Sequence, residues 1–496
     1  SVFQGGWMLE EAALVADATV SLLAALADKS LVRMDQPGRF GLHELVQQYA
    51  TGQLAASGED ELIHQRHFAA YLKLVRAADR QLRGPAVASG YAQLTAEQDN
   101  VRTALQWALE SGRFVDAAWL CIALSHFWSV RGPWQEARRW LEQLLPHRQQ
   151  LPADLRLAMF LSLYHFWRGQ EAFQLIDQYM SELVQLQANC TEKMLCAVTW
   201  RTIAVAAADF AQAAAAWERC IPLLSEARRA PPTDENYCIY ADSVYQHAFA
   251  LFRYAIRLTD VGEYVQAERL STESLILFRR LDNRDSIMLP LGNLGRLALL
   301  RGDLAQARLL LQEAVTNAAN MGNKLGLLDW QPRLGIVTLY SGDATAARRL
   351  LSESLLVSLE LNSKLYSALI LTYLAETALW EGEADQAAQW LAQALAYHAN
   401  PRWVRTELVD SLWIAARLAT VQQDYPRAAT LFGLAEQVSS QIRYALVEPV
   451  RAQVDAALAT VRDALDPAVF AAAFNAGKQL SLAEAFATAL LLVESG

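Results

Sequence analysis

The sequence predicts an all-α fold, helix hairpins repeated into a superhelical solenoid, preceded by a small module that contains a β-hairpin. Three observations predict it. A Gly-acidic-x-x-x-Ala signature recurs at a constant 40-residue step: GEYVQA at Gly262, GDLAQA at Gly302, GDATAA at Gly342 and GEADQA at Gly382. Hydrophobic residues make up 53% of the 496 and charged ones 19%, so the chain can bury an extensive core and disorder is excluded. Only 14 prolines and 23 glycines interrupt it, which makes long helices the default. Self-similarity at a fixed step signals stacked units rather than the three separate domains that length alone suggests.

At the N-terminus, two short helical stretches precede LVRM and RFGL, which alternate around Asp35-Gln36-Pro37-Gly38 as the arms of a β-hairpin. A helix over residues 43–55 follows. Helix, helix, hairpin, helix is the order of the later part of a winged helix, whose first helix would lie before residue 1. Ser1 opens on SVFQGGWMLEEAALVA, which has no basic start, apolar core or small-residue cleavage site. It is read as mid-domain sequence of a longer protein.

Each 40-residue unit divides into two helices. In the Gly302 unit, LPLGNLGRLALLR forms helix A and LAQARLLLQEAVTNAAN helix B. The glycine ends helix A in a left-handed conformation and the acidic residue begins helix B. Small residues recur at Gly295, Gly335, Ala375 and Ala416 in helix A, and at Ala307, Ala347, Ala387 and Ala428 in helix B. Ala314, Ser354, Ala394 and Ala435 recur seven residues further on. Leu311, Leu351, Leu391 and Phe432 are expected to fill the space between units. These offsets resemble the tetratricopeptide repeat, whose period is about 34 residues; the longer unit here is expected to carry extra turn residues. A fifth copy, QDYPRA, sets Ala428 one residue late.

Upstream, RGPWQEARRWLEQLLP (Gly132, Ala137, Leu141, Leu144) and ADFAQAAAAWERCIPLL (Asp209, Ala213, Trp217) fit the template. RGQEAFQLIDQYMSEL at Gly169 fits in part, with Gln174 in place of Ala. Arg201 stands where helix A wants a small residue, so its packing must differ. The loop at Pro231-Pro232 is the plausible hinge. The tail reads as a helix stopped at Gly477 and a second begun by Ser481 with Glu484 as its capping box, a terminal cap for the solenoid. The domains are therefore a partial winged helix (1–60), linking helices (61–112), N-terminal helical repeats (113–230), C-terminal repeats of about 40 residues (231–465) and capping helices (466–496).

SVFQGGWMLEEAALVA, LLAALADKSLVRM, RFGLHELVQQYATGQLAASGE and LTAEQDNVRTALQWALESG, in this order, resemble the stretch of bacterial STAND-class signal-transduction ATPases that runs from winged helix into helical sensor. RGPWQEARRWLEQLL and AFNAGKQLSLAEAFATALLL are similar to the same family, so the resemblance covers essentially the whole chain. It implies a nucleotide-binding domain before the winged helix, an effector elsewhere, and a repeat array that senses a ligand and relieves autoinhibition. The implied partners are a protein, peptide or small-molecule activator and the protein's own ATPase domain. The alternatives are the sensor half of a LuxR-type transcription activator, or a constitutive scaffold.

Other chemistry is not legible. No G-x-x-x-x-G-K-[ST], H-E-x-x-H or G-x-S-x-G motif occurs, so no enzyme activity and no cofactor are expected of this chain. Glu61, His64 and His67 share a helical face, but a lone E-x-x-H lacks the second copy a di-metal bundle uses, and the face is read as solvated. A net charge of −10 and the apolar segment 22–29 before the hairpin argue against nucleic acid. His43 resembles a family position near the nucleotide and is otherwise a helix-start residue. Residues 114–130, the longest apolar stretch, are interrupted by Asp116 and His126 and are short for a bilayer. Five irregularly spaced cysteines (Cys121, Cys190, Cys196, Cys220, Cys238) fit reduced thiols and a cytoplasmic protein.

Of the 14 tryptophans, Trp107, Trp140, Trp217 and Trp390 fall on core spacing. Counting along helix A, the ligand-binding candidates on the concave face are Phe252, Arg296, Asp329, Tyr340, Glu376, Trp380, Asp410, Trp413 and Arg417. Aromatic and Arg side chains beside carboxylates suit a peptide or polar-ligand groove.

Overall fold

The computed structural model describes residues 1–132, 134–169, 172–190, 192–207, 210–227, 243–397, 406–441, 444 and 446–480. The Pro231-Pro232 loop, Asp209, Cys238, Ser481 and Glu484 lie outside them. The chain falls into two compact units, Ser1–Phe166 with Tyr179–Leu195, and Trp167–Gln178 with Cys196–Gly496.

In the first unit, helices Leu9–Ala16 and Val20–Asp28, a hairpin, and helix Glu44–Ser57 come in the predicted order. The hairpin strands are β2 (Val32–Gln36) and β3 (Arg39–Leu42), and the turn is tighter than predicted, at Pro37-Gly38. A short β1 (Trp7–Met8), not predicted, pairs antiparallel with β3 and gives the order β1-β3-β2. Buried Glu97 and Asn100 explain the LTAEQDN segment physically. Glu97 pairs with Arg39 and accepts from Tyr71 Oη at 3.2 Å and Asn100 Nδ2 at 2.9 Å. Asn100 Nδ2 also donates to Gly6 O at 2.7 Å, and Arg39 Nη2 to Gly5 O and Ala96 O. The sheet is thus tied to the helix Gln98–Glu110. That helix meets Phe114–Arg131 through Gly112, whose φ is +68°, and Arg113 N–H closes the turn on Ala108 O at 2.8 Å. The linking helices therefore hold a repeat-type hairpin, hidden in the sequence because Arg113 replaces the acid.

The solvated reading holds for exposed Glu61 but needs correction at His67. His67 is 1% exposed and lies among Phe3 and Tyr71, because it shares the buried stripe of helix Asp60–Gln81 with Phe68, Tyr71 and Leu74. His64 stacks on Trp107, and Glu61 faces Arg113 at 3.5 Å. Burial lowers the His67 pKa to about 4, so its ring is neutral in the folded protein at pH 7. Stability from this group is complete above pH 6.5. It is lost as pH falls towards 4, where the unfolded chain takes up a proton that the fold refuses. The loss expected from His67 is about 3 kcal/mol, and half-buried His126, lowered to about 3 by loss of water, acts in the same direction. Urea denaturation at pH 7 and pH 4.5 checks this; His67→Phe should flatten the pH dependence.

The second unit contains the 40-residue hairpins. Helix A and helix B are Ser243–Asp260 and Tyr264–Arg280, Arg284–Leu300 and Leu304–Met321, Lys324–Tyr340 and Ala344–Glu360, Lys364–Glu381 and Ala384–Tyr397, then Thr406–Val421 and Tyr425–Gln441. The extra length is in the helices, not the turns. In the Gly302 hairpin the helices have 17 and 18 residues, which leaves only short turns.

At the Gly302, Gly342 and Gln423 turns one acidic residue serves both helices. Asp303 N–H closes helix A on Ala298 O at 3.0 Å, and Asp303 Oδ1 caps helix B by accepting from Gln306 N at 3.0 Å. Asp343 and Asp424 repeat the arrangement. A second, unpredicted punctuation joins successive hairpins. Asp282, Gly322 and Asn362 are left-handed, and Asn283 and Asn323 cap the next helix A. Gln423 takes the glycine position of the fifth copy at φ +62°. Gln423→Gly should raise stability by about 0.5–1 kcal/mol, the relief of left-handed strain less the entropy gained by the unfolded chain. A thermal melt reads the gain.

Within each hairpin the small helix A residue receives the large helix B residue. A Cβ on Gly295 would lie 2.7 Å from Leu311 Cγ, and one on Gly335 3.0 Å from Leu351 Cγ. Leu311 and Leu351 thus seal their own hairpins, and Leu351 also joins a core cluster with Ile370 and Leu371 of the next one. Arg201 does differ in packing: it reaches forward to Gln246 at 2.6 Å and lies over the Phe249 ring. Helix Pro467–Gln479 runs through Gly477 instead of stopping there, because Gly477 is buried against helix Tyr425–Gln441. No helix of the described residues is long and apolar enough to cross a membrane.

Candidate functional site

Each helix A of the second unit touches the next helix A, whereas successive helices B make no comparable contact, so the A helices form the tighter, inner row. Relative to the turn residue (Gly262, Gly302, Gly342, Gly382 or Gln423), positions 13, 9, 6 and 2 residues earlier form one stripe along helix A. Seven candidates occupy it: Asp329 and Asp410 at 13, Arg296, Glu376 and Arg417 at 6, Tyr340 and Trp380 at 2. Phe252 and Trp413 stand 10 residues before the turn, to one side of the stripe.

That offset explains their placement. Phe252 is 3% exposed and meets Trp330 edge-on. Trp413 packs on Phe432 and donates Nε1–H to Ser439 Oγ at 3.1 Å. Both belong to the core, not to the inner surface.

The later hairpins bring most of the others together. Arg417 Nη1 lies 2.8 Å from both Glu376 oxygens, its other nitrogen pairs with Gln453, and Trp380 Nε1 donates to Glu376 Oε1 at 2.9 Å. Glu376 and Arg417 are buried, whereas Trp380 stays 36% exposed with its ring 5.9 Å from that of Tyr340. Tyr444 Oη donates to Asp410 Oδ1 at 2.5 Å. Loss of water, followed by the neighbouring carboxylates Glu376 and Asp410, raises the Tyr340 hydroxyl well above its ordinary value. Tyr444 is raised the same way, first by loss of water and then by Asp410, so both phenols stay neutral donors. Tyr373, nine residues before Gly382, acts on both.

Earlier on the stripe, Asp329 accepts from Tyr366 Oη at 2.5 Å. Burial raises its carboxyl, and the Tyr366 bond and nearby guanidiniums oppose that. Arg296 stands apart, paired with Asp260 at 2.7 Å. The sequence reading missed Arg253, Arg333 and Tyr373, which stepping four residues on from the outermost stripe position would have found. Tyr444 and Gln453 follow the fifth hairpin, where the repeat gives no offset to count from.

Chemically, the later hairpins present buried, hydrogen-bonded polar groups beside the partly exposed Trp380 indole. Among the described residues no group of three or more His, Cys, Asp or Glu could hold a metal ion.

No protein-family model matches the sequence, and no curated protein matches it. Among solved structures, a STAND protein with a tetratricopeptide repeat sensor from Pyrococcus horikoshii aligns with 96% of this chain at 14% identity and a TM-score of 0.37. This chain spans 63% of that one's length. Cut9–Hcn1 of the APC/C aligns with 82% of this chain and 96% of its own, at 13% identity and a TM-score of 0.32. A circular tandem repeat protein aligns over 98% and 95% at 16% identity and a TM-score of 0.15. Likeness at this level assigns neither activity nor partner.

Proposed function

We propose that the second unit is a non-enzymatic binding module that receives a polypeptide segment along the inner stripe of its A helices. The observation that carries this reading is Trp380, a partly exposed indole anchored on the buried Glu376–Arg417 pair. An exposed Trp beside Tyr340 and the Glu376–Arg417 pair has the composition of a binding hot spot. The rigid wall offers it without an ordering cost. With the N-terminal motifs, this makes the chain the ligand-sensing, autoinhibitory region of a cytoplasmic STAND-type regulator that acts on its own ATPase domain through a winged helix.

Peptides selected on the intact chain from a random library provide the test. Trp380→Ala should weaken their binding by about 2 kcal/mol or more in fluorescence anisotropy. Leu309→Ala, on an outer helix and 68% exposed, should leave it unchanged. Peptides sensitive to Leu309→Ala but not to Trp380→Ala would move the site to the outer row and reject the reading.

A further inference from the structure

In the second unit, arginines of the chain itself cover the faces of several tryptophans. The Arg219 guanidinium lies 4.5 Å from the Trp200 ring centroid, that of Arg333 5.6 Å from Trp330, and that of Arg348 5.2 Å from Trp390. Each sets a positive group against the negative face of an indole. Trp217 and Trp413 are buried, at 1% and 9% exposure. Trp380 is 36% exposed, yet among the described residues no guanidinium or ammonium covers its ring.

The ring is held in place. Its Nε1–H is committed to Glu376 Oε1 at 2.9 Å, and the Tyr340 ring stands 5.9 Å away, tilted by 38°. Both aromatics occupy the position two residues before a turn glycine, Gly342 and Gly382. The next hairpin puts Val421, 59% exposed, at the matching position before Gln423. Two tilted rings with an aliphatic neighbour suit a charged head carried on a long apolar stem.

Charge points the same way. Glu376 and Arg417 neutralise one another, whereas Glu381 and Glu383, one and three residues after Trp380, both pair with Arg348. Three carboxylates therefore meet two guanidiniums, before Asp410 is counted. Within a Debye length of that excess an incoming cation gains and an anion is opposed.

We propose that Trp380 and Tyr340 receive the lysine or arginine head of a basic peptide segment. The proposal rests on the inner-row reading above and adds the charge of the ligand and the residue type that anchors it.

Isothermal titration of the intact chain with hexalysine, hexaglutamate and the library peptides tests it. Hexalysine should bind, and weaken as salt rises from about 50 to about 200 mM; hexaglutamate should not bind. Trp380→Leu keeps an apolar anchor but removes the aromatic face, and should weaken hexalysine about fivefold or more. Glu381→Gln with Glu383→Gln should weaken it about twofold or more and flatten the salt dependence. Glu313→Gln with Glu353→Gln, on the outer helices, should change it less than about twofold. In the library peptides, norleucine in place of each basic residue keeps the stem and removes the charge. Affinity should then fall about fivefold or more at the anchoring position, a readout that needs no variant of the protein to fold. Hexaglutamate binding as tightly as hexalysine overturns the proposal, and so does hexalysine affinity that Trp380→Leu leaves intact. Library peptides that respond to Trp380→Ala but tolerate norleucine throughout overturn this inference alone. Peptides indifferent to Trp380→Ala overturn the inner-row reading as well.

Discussion

Glu376→Ala is expected to destabilise the second unit by about 3–5 kcal/mol, the cost of leaving one member of a buried ion pair uncompensated. Arg417 is 7% exposed and, among the described residues, pairs with the carboxylate of Glu376, while Gln453 holds its second nitrogen. The carboxylate also anchors Trp380, so the substitution frees the indole from its 2.9 Å bond and should shift its emission. A hydrophobic replacement of both partners, Glu376→Met with Arg417→Met, should cost much less than the two single changes together, because no charge is then stranded. Denaturation of the four proteins in a double-mutant cycle measures the coupling. Single substitutions that cost under about 1 kcal/mol would mean that the pair behaves as a surface salt bridge. The functional implication follows from the same energetics. A wall held by a buried pair does not reorganise on binding, so affinity comes from preformed geometry.

The repeat was legible because its marks are backbone marks. Gly302 and Asp303 end one helix and start the next by hydrogen bonds that any neighbour must tolerate, so the same two residue types recur every 40 positions. The hairpin at Gly112 escaped because Arg113 closes the turn with its backbone N–H alone and leaves no acidic mark. The sequence placed seven site residues on one stripe, yet Phe252 and Trp413 failed for a rotational reason. A residue three steps from Asp410 lies 60° away around the helix, which is enough to carry an indole from the inner surface to the Ser439 side. His67 failed differently. Its burial depends on Phe3 and Tyr71, and Phe3 is 64 residues distant, a contact no local period encodes. Gly477 was read as a stop because glycine usually marks one; here it marks contact.

Gly433→Ala and Gly477→Ala are each expected to destabilise the end of the repeat row by about 2–3 kcal/mol, against the local rule. In a helix interior, Gly→Ala ordinarily stabilises by about 1 kcal/mol. Here a Cβ on Gly433 would stand 2.0 Å from Phe474 O, and one on Gly477 2.0 Å from Thr430 O. Helices Tyr425–Gln441 and Pro467–Gln479 therefore cross backbone to backbone on paired glycines, and no side-chain rotation relieves the clash. The helices must part, which uncovers Phe470, Phe474 and the apolar end of the fifth hairpin. A repeat row without its terminal cover exposes a face made for burial, so the variants should also self-associate. Gly302→Ala is the informative contrast: its Cβ meets nothing within 4 Å, and the cost comes only from φ +80°. Hydrogen exchange should localise the damage, with protection lost first in Pro467–Gln479 for Gly433→Ala but at the Gly302 turn for the contrast. Stabilisation of either cap variant would mean that propensity outweighs packing and that the two helices do not cross at their glycines.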